Sequence, residues 1–182
     1  CADKLFIAAN NITGSRELVF SIVRYGNVMG SRGSVIPFFL KEAHKGYLPI
    51  TDNSMTRFNI LLKEGVELVL WAIENAIGSE IFVPKIPSYR ITDVAEAILP
   101  GGTRKQIGIR PGEKLHEEMI NPNDSSSTLD LGNVYAILPS NNHSFINNYL
   151  NSNSSFKKVP NDFSYNSLHN QKYLSIREIQ QL

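Results

Sequence analysis

The pattern of apolar and polar positions divides the chain into short α and β segments. CADKLFIAANNI opens it as the interior of an amphipathic helix, with Ala2, Leu5, Phe6 and Ala9 on one stripe and no capping residue ahead of them. Thr13 to Arg16 is a turn, and Leu18 to Tyr25 is a β-rich apolar run suited to a strand covered on both faces. The run ends in RYGNVMGSRGSVIPFF, residues 24–39, where Gly26, Gly30 and Gly33 make a loop and a helix opens at Ser34. Ser34 is a good N-cap, Pro37 falls in the tolerated first turn and Gly46 stops the helix, which predicts a helix from Ser34 to Lys45.

Further along, Leu48 to Thr51 predicts a short strand and Asp52 to Ser54 a polar turn. Leu62, Val66, Val69, Ile73 and Ala76 recur at steps of four and three, the apolar face of a helix ending near Gly78. Ile81 to Val83 and Tyr89 to Ile91 predict brief strands around the Pro84 and Pro87 loop, with Thr92 or Asp93 capping a helix to Leu99. Lys105 to Ile109 reads as a strand, and Pro111 as the first position of a helix carrying Leu115, His116 and Met119. Val134 to Leu138 is a strand, and Ser140 to Asn161 is so rich in Asn and Ser that it reads as a loop or partly ordered insertion. Ser175 and Glu178 form a capping box that starts the last helix. The fold class is α/β, with Phe20 to Tyr25 and Ile81 to Val83 expected in one mostly parallel sheet. A strand that turns through glycines into a helix leaves backbone N–H groups at the carboxyl end of a sheet, where open α/β sheets hold ligands.

Composition narrows the choice of partners. The 182 residues, 42% hydrophobic and 19% charged, suit one globular domain. A net charge of +1 gives no electrostatic case for nucleic acid or a membrane surface. No apolar run approaches the ~20 residues of a membrane span, and no signal peptide is present, so a cytoplasmic protein is expected. Cys1, the only cysteine, excludes an internal disulfide, and His44, His116, His143 and His169 are too scattered to form a metal site.

Candidate chemistry concentrates around the glycine corner. Its GxxxGxxG spacing differs from the GxGxxG of a first dinucleotide-binding turn and also fits a plain packing corner. Asn27 carries an amide that can donate and accept, suited to a sugar hydroxyl or a pyrophosphate oxygen; a turn asparagine bonding its own backbone is the alternative. Arg57 and Arg110 follow short strands, where they are either solvated or positioned to grip a phosphate through the planar guanidinium fork. Glu113 is close enough to Arg110 to orient it, or to favour a helix N-terminus. His116 reads as packing.

RYGNVMGSRGSVIPFF, followed by LPITDNSMTRF, EIFVPKIPS and IRPGEKLHEEM, closely resembles the inverting UDP-N-acetylglucosamine 4,6-dehydratases, which are extended short-chain dehydrogenase/reductase proteins. The resemblance covers nearly the whole chain and is weakest from about Asn121 to Asn161. It implies the carboxyl-terminal part of a Rossmann-like NAD(P)-binding fold with a smaller substrate-binding subdomain. On that reading 1–46 ends the Rossmann-like part, 47–138 is the mixed substrate-binding part, 139–161 a flexible loop, and 162–182 the tail and last helix.

The resemblance also implies site residues. Val28, Met29, Gly30, Ser31 and Arg32 would lie against the nicotinamide end of NADP. Asn27, Thr51, Arg57, Arg110 and Glu113 would contact the UDP-sugar substrate, and Asn170, Gln171, Lys172 and Tyr173 align with a tail that folds over it, although NQKY departs from the family's wording. No catalytic residue and no metal ligand is expected here, because the family's YxxxK pair, its Asp-Lys pair and its first Gly-rich turn do not occur in these residues. The sequence thus reads as a fragment lacking its amino-terminal half, inactive alone and homo-oligomeric as the full-length enzyme. The family's chemistry removes hydride from C4 to NADP, eliminates water across C5 and C6, and returns hydride to C6 with inversion at C5, for pseudaminic acid or related surface glycans. The alternatives are a CapD-like UDP-sugar epimerase or dehydratase of capsule or O-antigen synthesis, which His116 and the PKIPS stretch disfavour, and a non-catalytic nucleotide-sugar-binding protein.

Overall fold

The computed structural model describes residues 2–140 and 142–182. Cys1, and Asn141 within the Asn/Ser-rich segment, lie outside the described residues. In chain order the elements are α1 (Ala2–Ala9), β1 (Ile22–Val23), β2 (Asn27–Val28), α2 (Val35–Glu42), β3 (Tyr47–Ile50), β4 (Thr56–Ile60) and α3 (Leu62–Asn75). Next come β5 (Ile81–Pro84), β6 (Ser88–Arg90), α4 (Ile91–Ile98), β7 (Thr103–Gln106), β8 (Glu118–Ile120), β9 (Thr128–Asp130) and β10 (Val134–Ile137). The chain ends with α5 (His143–Ser152), β11 (Lys157–Lys158), β12 (Tyr165–Asn166) and α6 (Ile176–Gln181). These build a mixed α/β fold of several small sheets, and among the described residues no helix is long and apolar enough to cross a membrane.

The chain forms two compact units whose segments interleave. The first comprises residues 1–25, 63–85 and 119–164, and its sheet runs β1-β5-β10-β9-β11. β1 lies parallel to β5 through Ile22↔Ile81, as expected, but the other three ladders are antiparallel, so the sheet is not mostly parallel. Antiparallel neighbours need no crossover helix, and a short connection joins β9 to β10. Phe82, Leu129 and Ala136 are fully buried on this sheet, and Trp71 meets Phe82 edge-on at 5.1 Å.

Three expectations fail in this unit. α3 turns Gly65, Leu68 and Ala72 inward, while Leu62 and Ile73 of the expected stripe are 68% and 73% exposed. The helix is apolar on two sides, since Leu68 and Trp71 compete with the stripe, and only one side can meet the sheet. The stripe of α1 is likewise exposed at Leu5 and Phe6. The Asn/Ser-rich segment carries α5: Asn142 accepts from Phe145 N as an N-cap, and Ile146 and Tyr149 anchor the helix in the core. Two well-spaced anchors and a cap are sufficient where mean composition argues for a loop.

The second unit comprises 26–62, 86–118 and 165–182. Here β2 is parallel to β4, β4 is antiparallel to β6, and β3 is parallel to β7. α2, α4 and α6 bury Phe39, Val94 and Ile179 with Leu48 and Ile50 of β3. α2 and the turn after it stop at Gly46, which takes φ +75°, and the Ser175–Glu178 capping box is present at α6. The helix expected from Pro111 is absent: residues 111–117 form an irregular loop and Met119 belongs to β8. Gly112 at φ +81° breaks the helical path, and Glu113 N donates to Arg110 O to close a tight turn instead.

Two glycines give opposite expectations. A Cβ on Gly26 would fall 2.4 Å from Phe58 Cβ, whereas one on Gly65 would meet nothing within 4 Å inside α3. Gly26→Ala should therefore cost about 1–3 kcal/mol by overpacking the β2–β4 approach, while Gly65→Ala should gain about 0.5–1 kcal/mol from helix propensity and a less flexible unfolded chain. Thermal melts of the two variants should shift in opposite directions; melting temperatures that move together would refute this account.

Candidate functional site

The second unit holds one broad cleft of about 840 Å³. That volume falls within the ~300–1,000 Å³ usual for small-molecule sites. Its floor begins at β2, where the missing Gly26 side chain lets the strand lie against Phe58. From there Val28 turns toward α2 through Met29 N to Ile60 O (2.9 Å), Ser31 N to Val28 O (3.2 Å) and Ser34 N to Ser31 O (3.0 Å). Those amides donate inside the protein, so this corner offers fewer free N–H groups than the glycine pattern implies.

Of the residues anticipated for this site, Asn27, Val28, Ser31, Arg32, Thr51, Arg57, Arg110 and Glu113 line the cleft, while Met29 and Gly30 do not. Asn170, Gln171, Lys172 and Tyr173 are also elsewhere. Ser88 N donates to Lys172 O and Leu174 N to Ser88 O, which zips this stretch onto β6; Asn170 donates to Ile86 O, and the Tyr173 ring stacks under Arg90 at 4.5 Å. Asn170, Tyr173 and the backbone of this stretch thus fasten the tail, and none of the four residues lines the cleft.

The cleft is cationic. Arg32, Lys41, Arg57 and Arg110 face the single carboxylate of Glu113. Arg32, Lys41 and Arg110 form no side-chain ion pair among the described residues, and all three are exposed. Arg57 is different. Its side chain is 12% exposed, Nη1 donates to Thr56 O (2.8 Å) and Leu115 O (2.9 Å), and Nη2 donates to Lys114 O (2.8 Å). The N–H groups left over are on the Nε–Nη2 edge, where Glu117 and Glu113 stand at 3.9 and 3.8 Å, beyond hydrogen-bond length.

Behind the wall lies a polar network that sequence reasoning missed. Phe58 N donates to Glu117 Oε2 at 2.8 Å, and Glu117 N donates to Ser167 Oγ at 2.9 Å. Burial raises the Glu117 carboxyl above its ordinary range, opposed by the Phe58 amide, Arg57 and Asn27. Burial also pushes the Tyr89 phenol up to about 12, so it stays protonated at neutral pH. His116 shares a 2.8 Å hydrogen bond with Thr56 Oγ1; burial first, then Arg57 and His169, lower its pKa and favour the neutral ring. Tyr89 and Lys41 lie outside the quoted motifs, Tyr89 reading as a strand residue, and Glu117, although inside IRPGEKLHEEM, carried no assigned role.

Comparison with known proteins is consistent over almost the entire chain. Residues 1–139 match the protein family described as polysaccharide biosynthesis protein. An inverting UDP-N-acetylglucosamine 4,6-dehydratase of Campylobacter jejuni is 50% identical over 185 residues, covering 98% of this chain and 55% of that relative. A UDP-glucose 4-epimerase of Rickettsia akari is 38% identical, covering 99% of this chain and 53% of its own length. The X-ray structure of Pen from Bacillus thuringiensis superposes with a TM-score of 0.81 at 30% identity, over 99% of this chain and 53% of that one. The chain therefore spans about half the length of these relatives.

The two arginines should separate in stability. Removing Arg57 leaves the Lys114 and Leu115 carbonyls and the Glu117 carboxylate without their cation, so Arg57→Ala should cost about 2–3 kcal/mol, against less than ~0.5 kcal/mol for the exposed Arg110→Ala. Denaturation curves giving equal losses would contradict the assigned contacts. A pH test concerns Glu117, whose proton is held more tightly in the fold than in the unfolded chain. Its stability contribution is therefore full below the ordinary value of 4.5 and is lost as pH rises through the raised folded value. The stability of wild type relative to Glu117→Gln should accordingly fall as pH rises through that window; a flat or rising difference would reverse the sign of the burial effect.

Proposed function

The chain belongs to the polysaccharide biosynthesis protein family, and from that membership we propose that it is the substrate-gripping part of a UDP-N-acetylglucosamine 4,6-dehydratase that inverts C5. The observation that carries this reading is the cleft, which joins a polar hydroxyl-binding side, Asn27 and Thr51, to the unpaired cations Arg32, Lys41 and Arg110. A nucleotide sugar presents that combination: hydroxyls on its sugars and two negative charges on its diphosphate. Guanidinium groups grip the diphosphate by charge-assisted hydrogen bonds, and a cleft with several uncompensated cations gains by accepting it. Arg57 adds positive potential from a fixed position, and Glu113, turned back on Arg110 N at 3.3 Å, is placed to accept a ribose hydroxyl.

In this reading the fold is the carboxyl-terminal part of a Rossmann-like short-chain dehydrogenase/reductase, the full-length enzyme is a homo-oligomer, and the product serves pseudaminic acid or a related surface glycan. A nicotinamide cofactor, NADP, supplies hydride acceptance and return when bound. Val28, Ser31 and Arg32 fit one wall beside it, with Met29 and Gly30 shaping the turn behind them. The Met29, Ser31 and Ser34 amides donate within the protein, so the corner fits a wall better than a phosphate cradle. The second reading is a UDP-sugar 4-epimerase, favoured by the similarity to the rickettsial epimerase. Identity of 50% against 38% supports the dehydratase.

Calorimetric titration with UDP tests the assignment. Arg110→Ala should weaken binding about tenfold or more, the loss of one charge-assisted contact, and Arg110→Lys should restore part of it because charge returns without the fork. Arg57→Ala should weaken UDP binding as well. Equal affinities in wild type and both alanine variants would remove the arginines from the site. The 182-residue chain alone, which has no Tyr-x-x-x-Lys pair, should form no 4-keto-6-deoxy product from UDP-N-acetylglucosamine.

A further inference from the structure

The two edges of the five-stranded sheet in the first unit are built differently. At one end β11 presents Lys157 and Lys158, both exposed. Lysines on an edge strand discourage a further strand from pairing with it. At the other end β1 has no such guard: Ile22 and Val23 are half-buried and uncharged, and Ser21 precedes them. Ser79 N donates to Phe20 O at 2.8 Å, Ile22 N to Glu80 O at 2.9 Å and Arg24 N to Phe82 O at 2.8 Å, so residues 20, 22 and 24 turn their backbone groups toward β5. A parallel ladder uses alternate residues, which leaves the N–H and C=O groups of Ser21 and Val23 along the outer edge. Among the described residues β1 pairs with β5 alone.

The sequence around β1 is that of an inner strand. Leu18 to Tyr25 is an apolar run of the kind enclosed on both faces, yet Leu18 and Val19 are 50% and 55% exposed and only Ile22 and Val23 enter the ladder. α1, which lies against β1, exposes Leu5 and Phe6 as well. Uncovered apolar side chains beside an unguarded strand edge mark a surface for another polypeptide. The relatives carry one. The Campylobacter jejuni dehydratase matches 98% of this chain but only 55% of its own length, and Pen matches 99% and 53%, so nearly half of each relative has no counterpart in these residues. We propose that the outer edge of β1, with Leu18, Val19 and the α1 stripe beside it, is where that unmatched half docks. It adds an extended strand through the backbone groups of Ser21 and Val23 and covers the exposed apolar side chains. Main-chain bonds supply the affinity, and apolar side chains alternating to either face of the added strand supply the fit. This surface lies outside the UDP-sugar reading and does not depend on it.

The test co-expresses the 182-residue chain with the unmatched half of the Campylobacter jejuni dehydratase, with no UDP-sugar present. The two should co-elute as a one-to-one complex by light scattering. In that complex the Ser21 and Val23 amides, followed by NMR hydrogen exchange, should slow about 100-fold or more against the chain alone, the protection of amides that open only with the core. The Lys157 amide on the guarded edge should keep its rate. Val23→Pro removes an outward N–H while leaving the bonds of Ile22 and Arg24 to β5, and should abolish the complex. Val19→Lys, at an exposed position, replaces it should the proline variant fail to melt cooperatively. Polypeptides that elute apart, a complex in which the Ser21 and Val23 amides exchange as in the chain alone, or undiminished binding by the folded variant would overturn the proposal. Protection of the same amides in the isolated chain through self-association would also overturn it, by making a second copy the occupant.

Discussion

The second unit depends on one partly buried cation. Arg57 leaves β4 and donates to the carbonyls of Thr56, Lys114 and Leu115, with Glu117 and Glu113 completing a ring of negative charge. A guanidinium satisfied by backbone carbonyls keeps its full charge, so it fastens the irregular 110–117 loop and at the same time makes the cleft positive. Thr56 N to Leu115 O (3.1 Å) and Phe58 N to Glu117 Oε2 repeat the same stitch on either side of it. The loop needs no helix because its polar groups are paired by β4 instead.

Local signals that act within a few residues were legible in the sequence. The capping box at Ser175, the stop at Gly46 and the turn at Thr13 each depend on a side chain and its near neighbours, and each is found where it was read. Signals that depend on which neighbour arrives were not. α3 has two apolar sides, and only the position of the sheet decides that Leu68 rather than Ile73 is covered. Pro111 is compatible with a helix start, but Gly112 and the Arg110–Glu113 turn lead the chain back to β4. α5 is held by Ile146 and Tyr149, with Phe145 and Leu150 packed beside them and a cap, apolar positions diluted by the surrounding Asn and Ser.

The candidate site divides in the same way. Asn27, Thr51, Arg57, Arg110 and Glu113 were found through motif resemblance, and they do share one cleft. The tail stretch 170–173 was carried over on weaker wording; it does not line the cleft, and Asn170 and the Lys172 carbonyl bind the 86–88 segment. Glu117 and Tyr89 could not be read ahead, because a carboxylate and a phenol acquire meaning only once the fold buries them. Burial works against the ionised form of Glu117, while the Phe58 amide and Arg57 favour it.

The cations of the cleft are therefore not equivalent. Arg57 has lost its conformational freedom on folding, and a ligand approaching it meets a guanidinium already oriented. Arg110, Arg32 and Lys41 are exposed, and immobilising each such side chain on a ligand costs about 0.5–1.5 kcal/mol. A charge-assisted contact worth about 1.5–3 kcal/mol exceeds that cost, so the mobile cations still contribute, but less than their charge suggests. Fixed and exposed groups then differ in what they offer a ligand: Arg57 presents one orientation, and the exposed cations must be ordered first. Precision in a small-molecule site comes from groups of the first kind, because misplacement by about 1 Å can cost two orders of magnitude in rate.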